Sequence, residues 1–285
     1  MASMRDIKRR KESVQSTQQI TKAMKLVSTV KLQRAKAQAE NAKPYFDKMF
    51  ATVTSILEKT GTINHPYLIP NGSTKKAVIV ISGNRGLAGG YNSNIAKAVI
   101  EAGLTPDVTK VYGVGRKGIE FLSRRGYQIA EDDSDMIDEP LFEDAAQLGK
   151  TILNAYTEGE VGEIYLAYTR FKNTVVHEPT VLKLLPVEFD EKQKEEGKKE
   201  APMNFEPEPE EALDLIVPKY LNSLIYGAFM ESVASENGAR MQAMDSATSN
   251  ADEMIATLSL AYNRARQGAI TQELTEIISG AEAIN

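Results

Sequence analysis

The longest uninterrupted helical pattern in this chain constrains its fold more than any other feature. Residues 3–58 contain no glycine and one proline, Pro44, which should bend or end a helix at that point. Ser3 is a suitable N-cap, and Asp6 follows three residues later as the acidic partner of a capping box. Apolar residues recur mostly at spacings of three, four and seven, which predicts a helix with one buried face. They include Ile7, Val14, Ile20, Met24, Val27, Leu32, Met49, Val53 and Ile56.

A second long helix is predicted at the other end of the chain, over about residues 211–280. Pro218 lies near its start, where proline is tolerated. Alanine, serine and glycine are abundant in it, and Gly227, Gly238 and Gly268 each cost about 1 kcal/mol relative to alanine in a helix interior. Small side chains allow two helix backbones to approach closely. We therefore expect the two end helices to pair as a long antiparallel coiled coil.

The middle of the chain has a different pattern. The segment "KKAVIVIS" is a short continuous apolar run, typical of a strand buried on both faces. Strand and helix patterns then alternate, which predicts a Rossmann-like α/β domain with a parallel sheet. The predicted fold class is thus α/β, with the coiled coil of the N- and C-terminal helices flanking this domain. The predicted parts are the N-terminal helix at 1–60, the Rossmann-like domain at 75–187, a charged, proline-containing linker at 188–211 and the C-terminal helix at 212–285.

Composition excludes several classes of protein. The 285 residues include no cysteine, which excludes disulfides, thiolate metal sites and a cysteine nucleophile. The two histidines, His65 and His177, are far apart in sequence, so no metal cluster is expected. No run of about 18 apolar residues exists, and the basic start has no apolar stretch behind it. Neither a membrane span nor a signal peptide is therefore expected.

Charge is distributed very unevenly along the chain, although the net charge is only −5. Residues 1–60 hold 13 Lys and Arg against 5 Asp and Glu, a balance of +8. Residues 206–285 hold 4 against 13, a balance of −9. Opposite charge at the two ends indicates that they meet each other, or that each meets a charged partner.

Two glycine-rich segments raise the question of a nucleotide site. The segment "SGNRGLAGGYNSN", residues 82–94, lacks the P-loop spacing, because Ala88 stands where the second glycine belongs, and no Lys-Ser or Lys-Thr pair follows. The segment "GVGRKG", Gly113 to Gly118, matches G-x-G-x-x-G, follows a predicted strand and opens a helix. Asp132 and Asp133 lie roughly where a ribose-binding acid would stand. A dinucleotide-dependent oxidoreductase is one interpretation, and tight turns with close helix–sheet packing are the other.

Other catalytic motifs are missing. The chain contains neither G-x-S-x-G nor H-E-x-x-H, and neither histidine has an obvious acid or nucleophile partner. The basic cluster "RDIKRRK" could indicate a coiled-coil scaffold on nucleic acid. It lacks interleaved aromatic residues, however, and the sequence pI of about 5.4 argues against that class.

Two terminal stretches resemble a known family. They are "SVQSTQQITKAMKLVSTVKL", from Ser13 to Leu32, and "YNRARQGAITQELTEIISGAEA", from Tyr262 to Ala283. Both are similar to the terminal helices of the gamma subunit of F-type ATP synthase, in its bacterial form, and "GNRGLAGGYNSN" is similar to that family's own glycine loop. The resemblance covers essentially the whole chain. It implies a non-catalytic rotor shaft that couples rotation of a proton-driven ring to conformational cycling of the catalytic beta subunits.

The same resemblance implies partners and site residues. The partners are the hexamer of alpha and beta subunits, the epsilon subunit and the c-ring, with neither nucleic acid nor bound nucleotide. No cofactor and no metal are implied, and the location is the cytoplasmic face of the bacterial cell membrane, as a peripheral part of the complex. The absence of cysteine excludes the thiol regulation of the chloroplast form. The residues implied to contact the hexamer or to affect coupling are Met24, Arg240, Arg266, Gln267, Thr271, Glu273 and Glu276.

Overall fold

The computed structural model describes residues 3–60, 65–187 and 209–282. Along the chain, a long helix comes first, a segment of five strands with intervening helices follows, and a second long helix comes last. The elements are α1 (Met4–Thr60), β1 (Lys76–Ile81), α2 (Tyr91–Glu101), β2 (Thr109–Val114), α3 (Arg116–Ser123), β3 (Gln128–Asp132), a 3₁₀ turn (Ser134–Ile137), α4 (Phe142–Thr157), β4 (Glu163–Phe171), β5 (His177–Leu185) and α5 (Pro209–Glu282). Of the predicted linker at 188–211, residues 188–208 lie outside the described residues.

The five strands form one sheet in the order β3-β2-β1-β4-β5. The strands β1 to β4 pair in parallel, as predicted, whereas β5 pairs antiparallel to β4, so the expectation of a wholly parallel sheet was wrong for this edge. A short connection, residues 172–176, joins β4 to β5, and a hairpin of this length can only reverse the chain. The strand β3 was missed because its sequence, "QIAED", is mostly polar and exposed on alternate residues.

The central strand β1 is buried on both faces, which explains its continuous apolar sequence. Ala77, Ile79 and Ile81 face a core that α4 and α5 cover, while Val78 and Val80 face a core that α2 and α3 cover. On the first face, α5 contributes a stripe of side chains four residues apart. The stripe consists of Leu213, Val217, Leu221, Ile225 and Phe229, each at most 3% exposed.

The chain divides into two compact units. The coiled-coil unit comprises the chain up to Thr29 and from Arg240 onwards, and the α/β unit comprises Val30 to Ala239. Residues of α1 and α5 belong to both units. Pro44 lies inside α1, and the helix continues past it to Thr60. Of the two predicted effects of this proline, an end of the helix is therefore wrong.

The coiled-coil unit is antiparallel, as predicted. The side chains of Gln18 and Asp252 are hydrogen-bonded, Thr21 Oγ1 lies 2.8 Å from Thr248 Oγ1, and Lys25 Nζ lies 2.5 Å from Asp245 Oδ1. As the residue number rises along α1, the number of the α5 residue that it contacts falls, so the two helices run in opposite directions. Buried or half-buried residues alternate at spacings of four and three, the heptad pattern of a coiled coil. They lie at 7, 11, 14, 18, 21, 25 and 28 in α1 and at 244, 248, 251, 255, 258, 262, 265 and 269 in α5.

The seam differs in part from the predicted apolar stripe. Ile20 and Val27 are 57% and 58% exposed, whereas Thr21 and Ser28 occupy the seam at 8% and 2% exposure. Short side chains suit a seam in which the backbones are close, so apolar character alone was a poor guide to the buried face. At the start of α1 the predicted capping box is confirmed. The Asp6 N–H donates to Ser3 Oγ at 3.2 Å, and the Ser3 N–H donates to Asp6 Oδ2 at 3.3 Å.

Candidate functional site

The G-x-G-x-x-G segment lies at the start of α3, where a dinucleotide pyrophosphate would bind the first N–H groups of the helix. Those groups already have partners within the chain. The Arg116 N–H donates to Asn84 Oδ1 at 3.1 Å, the Lys117 N–H to the Gly83 carbonyl at 3.1 Å and the Gly118 N–H to Ser82 Oγ at 2.8 Å. The loop after β1 therefore occupies the position that an anion would need.

The glycines of this segment allow close packing. Gly115 has a φ of +108°, and a Cβ atom there would overlap the Ser82 carbonyl. A Cβ atom on Gly113 would overlap the Ile119 side chain. A Cβ atom on Gly118 would lie 2.7 Å from Ser82 Oγ. This geometry supports packing as the reason for the motif and argues against the dinucleotide interpretation.

The two aspartates after the motif also serve local structure. Asp132 Oδ1 accepts the Ser134 N–H at 3.1 Å and so caps the 3₁₀ turn. Burial, with neighbouring Glu131 and Asp132, raises the pKa of Asp133 to about 6.

The loop at residues 82–94 packs against α5. The Gly83 N–H donates to Asn92 Oδ1 at 2.8 Å, and Asn92 Nδ2 donates to the Arg85 carbonyl at 3.1 Å, which closes the loop on itself. A Cβ atom on Gly83 would lie 2.6 Å from Glu236 Oε1 of α5. The tight turn predicted for these glycines is confirmed at Gly89, whose φ is +55°. The loop therefore contacts the last helix directly.

A group of hydrogen bonds, here named the α5 joint, connects α5 to the end of β4. The joint consists of the Glu231, Ser232 and Ser235 side chains with the backbone of Thr169 and Phe171. The Thr169 N–H donates to Ser232 Oγ at 3.3 Å, Ser235 Oγ donates to the Thr169 carbonyl at 3.1 Å, and the Phe171 N–H donates to Glu231 Oε2 at 3.2 Å.

The register of the sheet explains why these backbone groups need side-chain partners. The strand β1 pairs with β4 only as far as Ala167, so the edge of β4 beyond it has no strand on that side. A buried backbone group left without a partner costs about 1–3 kcal/mol. Ser232 and Ser235, both 0% exposed, remove that cost.

Glu231 is the ionisable member of the joint. Burial raises the pKa of its carboxyl, while the Phe171 N–H and the Arg170 guanidinium oppose that effect. Its side chain also lines a cavity of about 760 Å³, together with Tyr45, Phe142, Phe171, Tyr226 and Met230. Sequence analysis missed the joint. The available signal was the pair of serines three residues apart, which share one helix face and continue the apolar stripe that ends at Phe229.

Gly238 lies one turn after the joint and lets β5 approach α5. A Cβ atom there would lie 2.6 Å from Cε1 of the His177 ring. Within the described part of the chain neither ring nitrogen of His177 has a hydrogen-bond partner, and burial lowers the pKa of the imidazole. Of the three helix glycines singled out from the sequence, Gly238 thus serves close packing against a strand residue. Space around Gly227 and Gly268 is open.

Five of the seven predicted contact residues lie together near the end of α5. Arg266, Gln267, Thr271, Glu273 and Glu276 are all exposed, and every residue from 271 to 281 is exposed. Thr271 Oγ1 donates to the Gln267 carbonyl at 3.0 Å, and Gln272 Nε2 donates to Glu276 Oε1 at 2.9 Å. The exposed apolar residues of this stretch are Ile270, Leu274, Ile277 and Ile278, which are 45–67% exposed.

The other two predicted residues lie elsewhere in the coiled-coil unit. Met24 is half-buried in α1 beside Lys25, which pairs with Asp245. That register separates Met24 from Arg266 by about 20 residues along α5, or roughly 30 Å. Arg240 is half-buried where the α5 portion of this unit begins. The structure therefore does not bring Met24 together with the group near the end of α5.

Neither a membrane-spanning helix nor a metal site is found in residues 3–60, 65–187 and 209–282. No helix there combines the length and apolar character that crossing a bilayer requires. Nor do three or more His, Cys, Asp or Glu side chains converge there with the arrangement of a metal site.

Comparison with known proteins gives consistent matches over the whole chain. The family model described as ATP synthase matches residues 3–284. The ATP synthase gamma chain of Lachnoclostridium phytofermentans is 64% identical over all of both chains. That of Alkaliphilus metalliredigens is 45% identical over 99% of this chain and 98% of its own. A chain in the Euglena gracilis mitochondrial ATP synthase structure of OSCP, F1 and c-ring shares the fold, with a TM-score of 0.68 at 18% identity over 99% of this chain and 94% of its own.

Proposed function

This chain belongs to the ATP synthase gamma-chain family, and we propose that it is the central rotor shaft of an ATP synthase. In this role it couples rotation of the membrane c-ring to conformational cycling of the catalytic beta subunits. Catalysis belongs to those subunits, and this chain contributes none of the reacting groups. The observation that carries the proposal is the exposed end of α5, which leaves the coiled-coil pattern after residue 269 and presents its whole circumference.

A helix end of this kind needs a surrounding partner. Most of the stability of a helix in a protein comes from packing of its apolar face against other elements. The last turns of α5 expose Leu274, Ile277 and Ile278, at 55%, 67% and 59%. We assign this end to the central opening of the alpha/beta hexamer, with Arg266, Gln267, Thr271, Glu273 and Glu276 as the contacting polar residues. Met24 and Arg240 contact the hexamer at a separate level of the coiled coil.

The α/β unit has a different proposed set of partners. It sits against the epsilon subunit and the c-ring, on the cytoplasmic face of the bacterial cell membrane. The chain is held there peripherally, through the complex. The closed packing of the glycine loops supports a structural role for the Rossmann-like unit, because the first N–H groups of α3 already have partners and leave no cradle there for a nucleotide.

Reconstitution tests the proposal directly. Purified chain mixed with alpha and beta subunits of the same complex should give a stable assembly with one copy of this chain per hexamer. Mass photometry would measure that stoichiometry, and ATP hydrolysis would report its competence. A stable, active assembly that excludes this chain would contradict the proposal. Titration calorimetry of the isolated chain with NAD(P)(H) addresses the oxidoreductase alternative, for which micromolar binding would be required.

A further inference from the structure

We infer that the α5 joint is the element that transmits rotation between the α/β unit and α5, and that Ser232, Ser235 and Glu231 are positioning residues for energy coupling. The inference rests on the proposed rotor function, since a rotor must pass torque from the subunit surface that meets the ring to the helix that enters the hexamer. It concerns two fully buried serines and one half-buried glutamate of α5.

Most of the packing along the first part of α5 is apolar. Its apolar stripe, from Leu213 to Phe229, holds the helix on the sheet through contacts that are non-directional. Such contacts resist separation well, but they constrain rotation of the helix about its axis, or sliding along it, less strictly than directed bonds do. Hydrogen bonds require a specified distance and angle, so they fix one register.

The joint supplies directed bonds at the end of that stripe. Both serine side chains are short, with one rotatable bond to the hydroxyl oxygen, so they allow little slack between helix and strand. Their partners are backbone groups of β4. This strand pairs with β1 from Glu163 to Ala167 on one side and with β5 from Ile164 to Phe171 on the other. Load on α5 therefore passes into the sheet backbone directly, without a flexible intermediate side chain.

Glu231 extends the joint by two residues along β4. Its carboxylate accepts the Phe171 N–H, two residues beyond Thr169 on the same edge of β4. Three hydrogen bonds thus join about one turn of α5 to two residues of the strand, Thr169 and Phe171. Close approaches at Gly83, against Glu236, and at Gly238, against His177, flank the joint on the following turns. They leave little room for the helix to rotate.

The experiment compares two modes of operation of the assembled complex. In the soluble assembly with alpha and beta subunits, hydrolysis drives the coiled coil alone, and the joint carries no load. In the complete membrane complex, ATP-driven ion pumping and ATP synthesis both require torque to cross the joint. Ser232→Ala combined with Ser235→Ala should lower pumping per ATP hydrolysed and the rate of synthesis. Hydrolysis by the soluble assembly should keep its wild-type rate.

The matched control is Ser223→Ala. Ser223 is also a buried serine of α5, at 5% exposure, but its hydroxyl donates to the Lys219 carbonyl within the helix. This variant should retain full coupling. Hydrogen exchange in the soluble assembly reports whether the joint itself has opened. The Thr169 amide should exchange about tenfold faster or more in the double variant, because a buried hydrogen bond has been removed, and at the wild-type rate in the control.

If the double serine variant does not fold, two variants of Glu231 test the inference instead. Glu231→Gln keeps a carbonyl oxygen that can accept the Phe171 N–H, and should retain coupling. Glu231→Met removes the acceptor and should lower coupling. Normal pumping and synthesis in variants whose joint exchanges rapidly would overturn the inference, as would an equal loss of hydrolysis in the soluble assembly. Failure of the wild-type chain to join alpha and beta subunits would instead overturn the proposed function on which the inference rests.

Discussion

Single residues in this protein are constrained mainly by close approaches of backbone segments. Gly115 illustrates this, because its positive φ and its contact with the Ser82 carbonyl both require the absence of a side chain. The motif that contains it has the spacing of a dinucleotide site, yet its N–H groups are used by Ser82, Gly83 and Asn84. A glycine pattern therefore acquires its meaning from the atoms that face it.

Gly115→Ala should be strongly destabilising. The strained φ and the overlap with backbone atoms of Ser82 together should cost at least about 2 kcal/mol. Urea unfolding followed by circular dichroism measures this change. Gly86→Ala is the control, because a Cβ atom there meets nothing within 4 Å and its φ is not in the left-handed region. Equal stability of the two variants would contradict the packing explanation of the motif.

His177 should make the α/β unit less stable in mild acid. Burial lowers the pKa of its imidazole below the ordinary value of about 6.5. The unfolded chain therefore binds a proton that the folded chain rejects, so stability is complete above about pH 6.5 and is lost as the pH falls through and below that value. Asp133 and Glu231, whose pKa values are raised, act in the opposite direction.

A comparison of wild type with His177→Leu isolates the histidine. Between about pH 7.5 and pH 5 the wild type should lose more free energy of unfolding than the variant, since the contributions of the two acids cancel in the difference. Denaturant titrations at several pH values provide this measurement. Parallel pH profiles for the two proteins would mean that His177 titrates normally in the folded chain.

At the scale of whole elements, the two long helices depend on different surroundings along their length. In the coiled-coil unit the seam mixes apolar residues, such as Val14, Met244 and Ile255, with short or polar ones. Thr21 packs against Thr248, and Lys25 pairs with the exposed Asp245. Such partly exposed ion pairs contribute only about 0.2–1 kcal/mol each. Stability here comes mainly from burial of the apolar seam residues, together with the close approach of the backbones that small seam residues permit.

A large side chain in the seam should therefore force the two helices apart. Ala251 is 5% exposed, and Ala251→Leu should destabilise the coiled-coil unit by about 1–3 kcal/mol through overpacking. Ala256, an exposed alanine one turn later, provides the control, and Ala256→Leu should change stability by less than about 0.5 kcal/mol. Thermal melting followed at the helical signal distinguishes the two. A larger loss at Ala256 would contradict the observed seam.

At the scale of the whole molecule, the exposed end of α5 gains its significance from partners. Arg266 and Gln267 lie exposed on α5 between the last seam positions, 265 and 269, which suits residues that bind and release in turn. Exposed charged and polar contacts are individually weak, so they exchange readily during rotation.

Arg266→Ala combined with Gln267→Ala should lower ATP turnover of the assembled complex more than it lowers assembly. The reason is that turnover requires these contacts at each step, whereas assembly uses the whole shaft. Hydrolysis assays on complexes of measured stoichiometry would test this. Asn263→Ala with Arg264→Ala, on the preceding turn of the same exposed helix, is the matched control. Equal effects of the two double variants would remove any special role from Arg266 and Gln267.

Elements with a local cause could be predicted from the sequence. The long helices, the capping box at Ser3 and the buried strand β1 follow from propensity and periodicity within a few residues, and the terminal motifs indicated the family. Only the tertiary structure decided the rest. The antiparallel pairing of β5, the seam at Thr21 and Ser28, the filled cradle at the start of α3 and the α5 joint all depend on residues distant in sequence. Which backbone groups lack a partner, and how closely two segments approach, become defined only when the chain has folded.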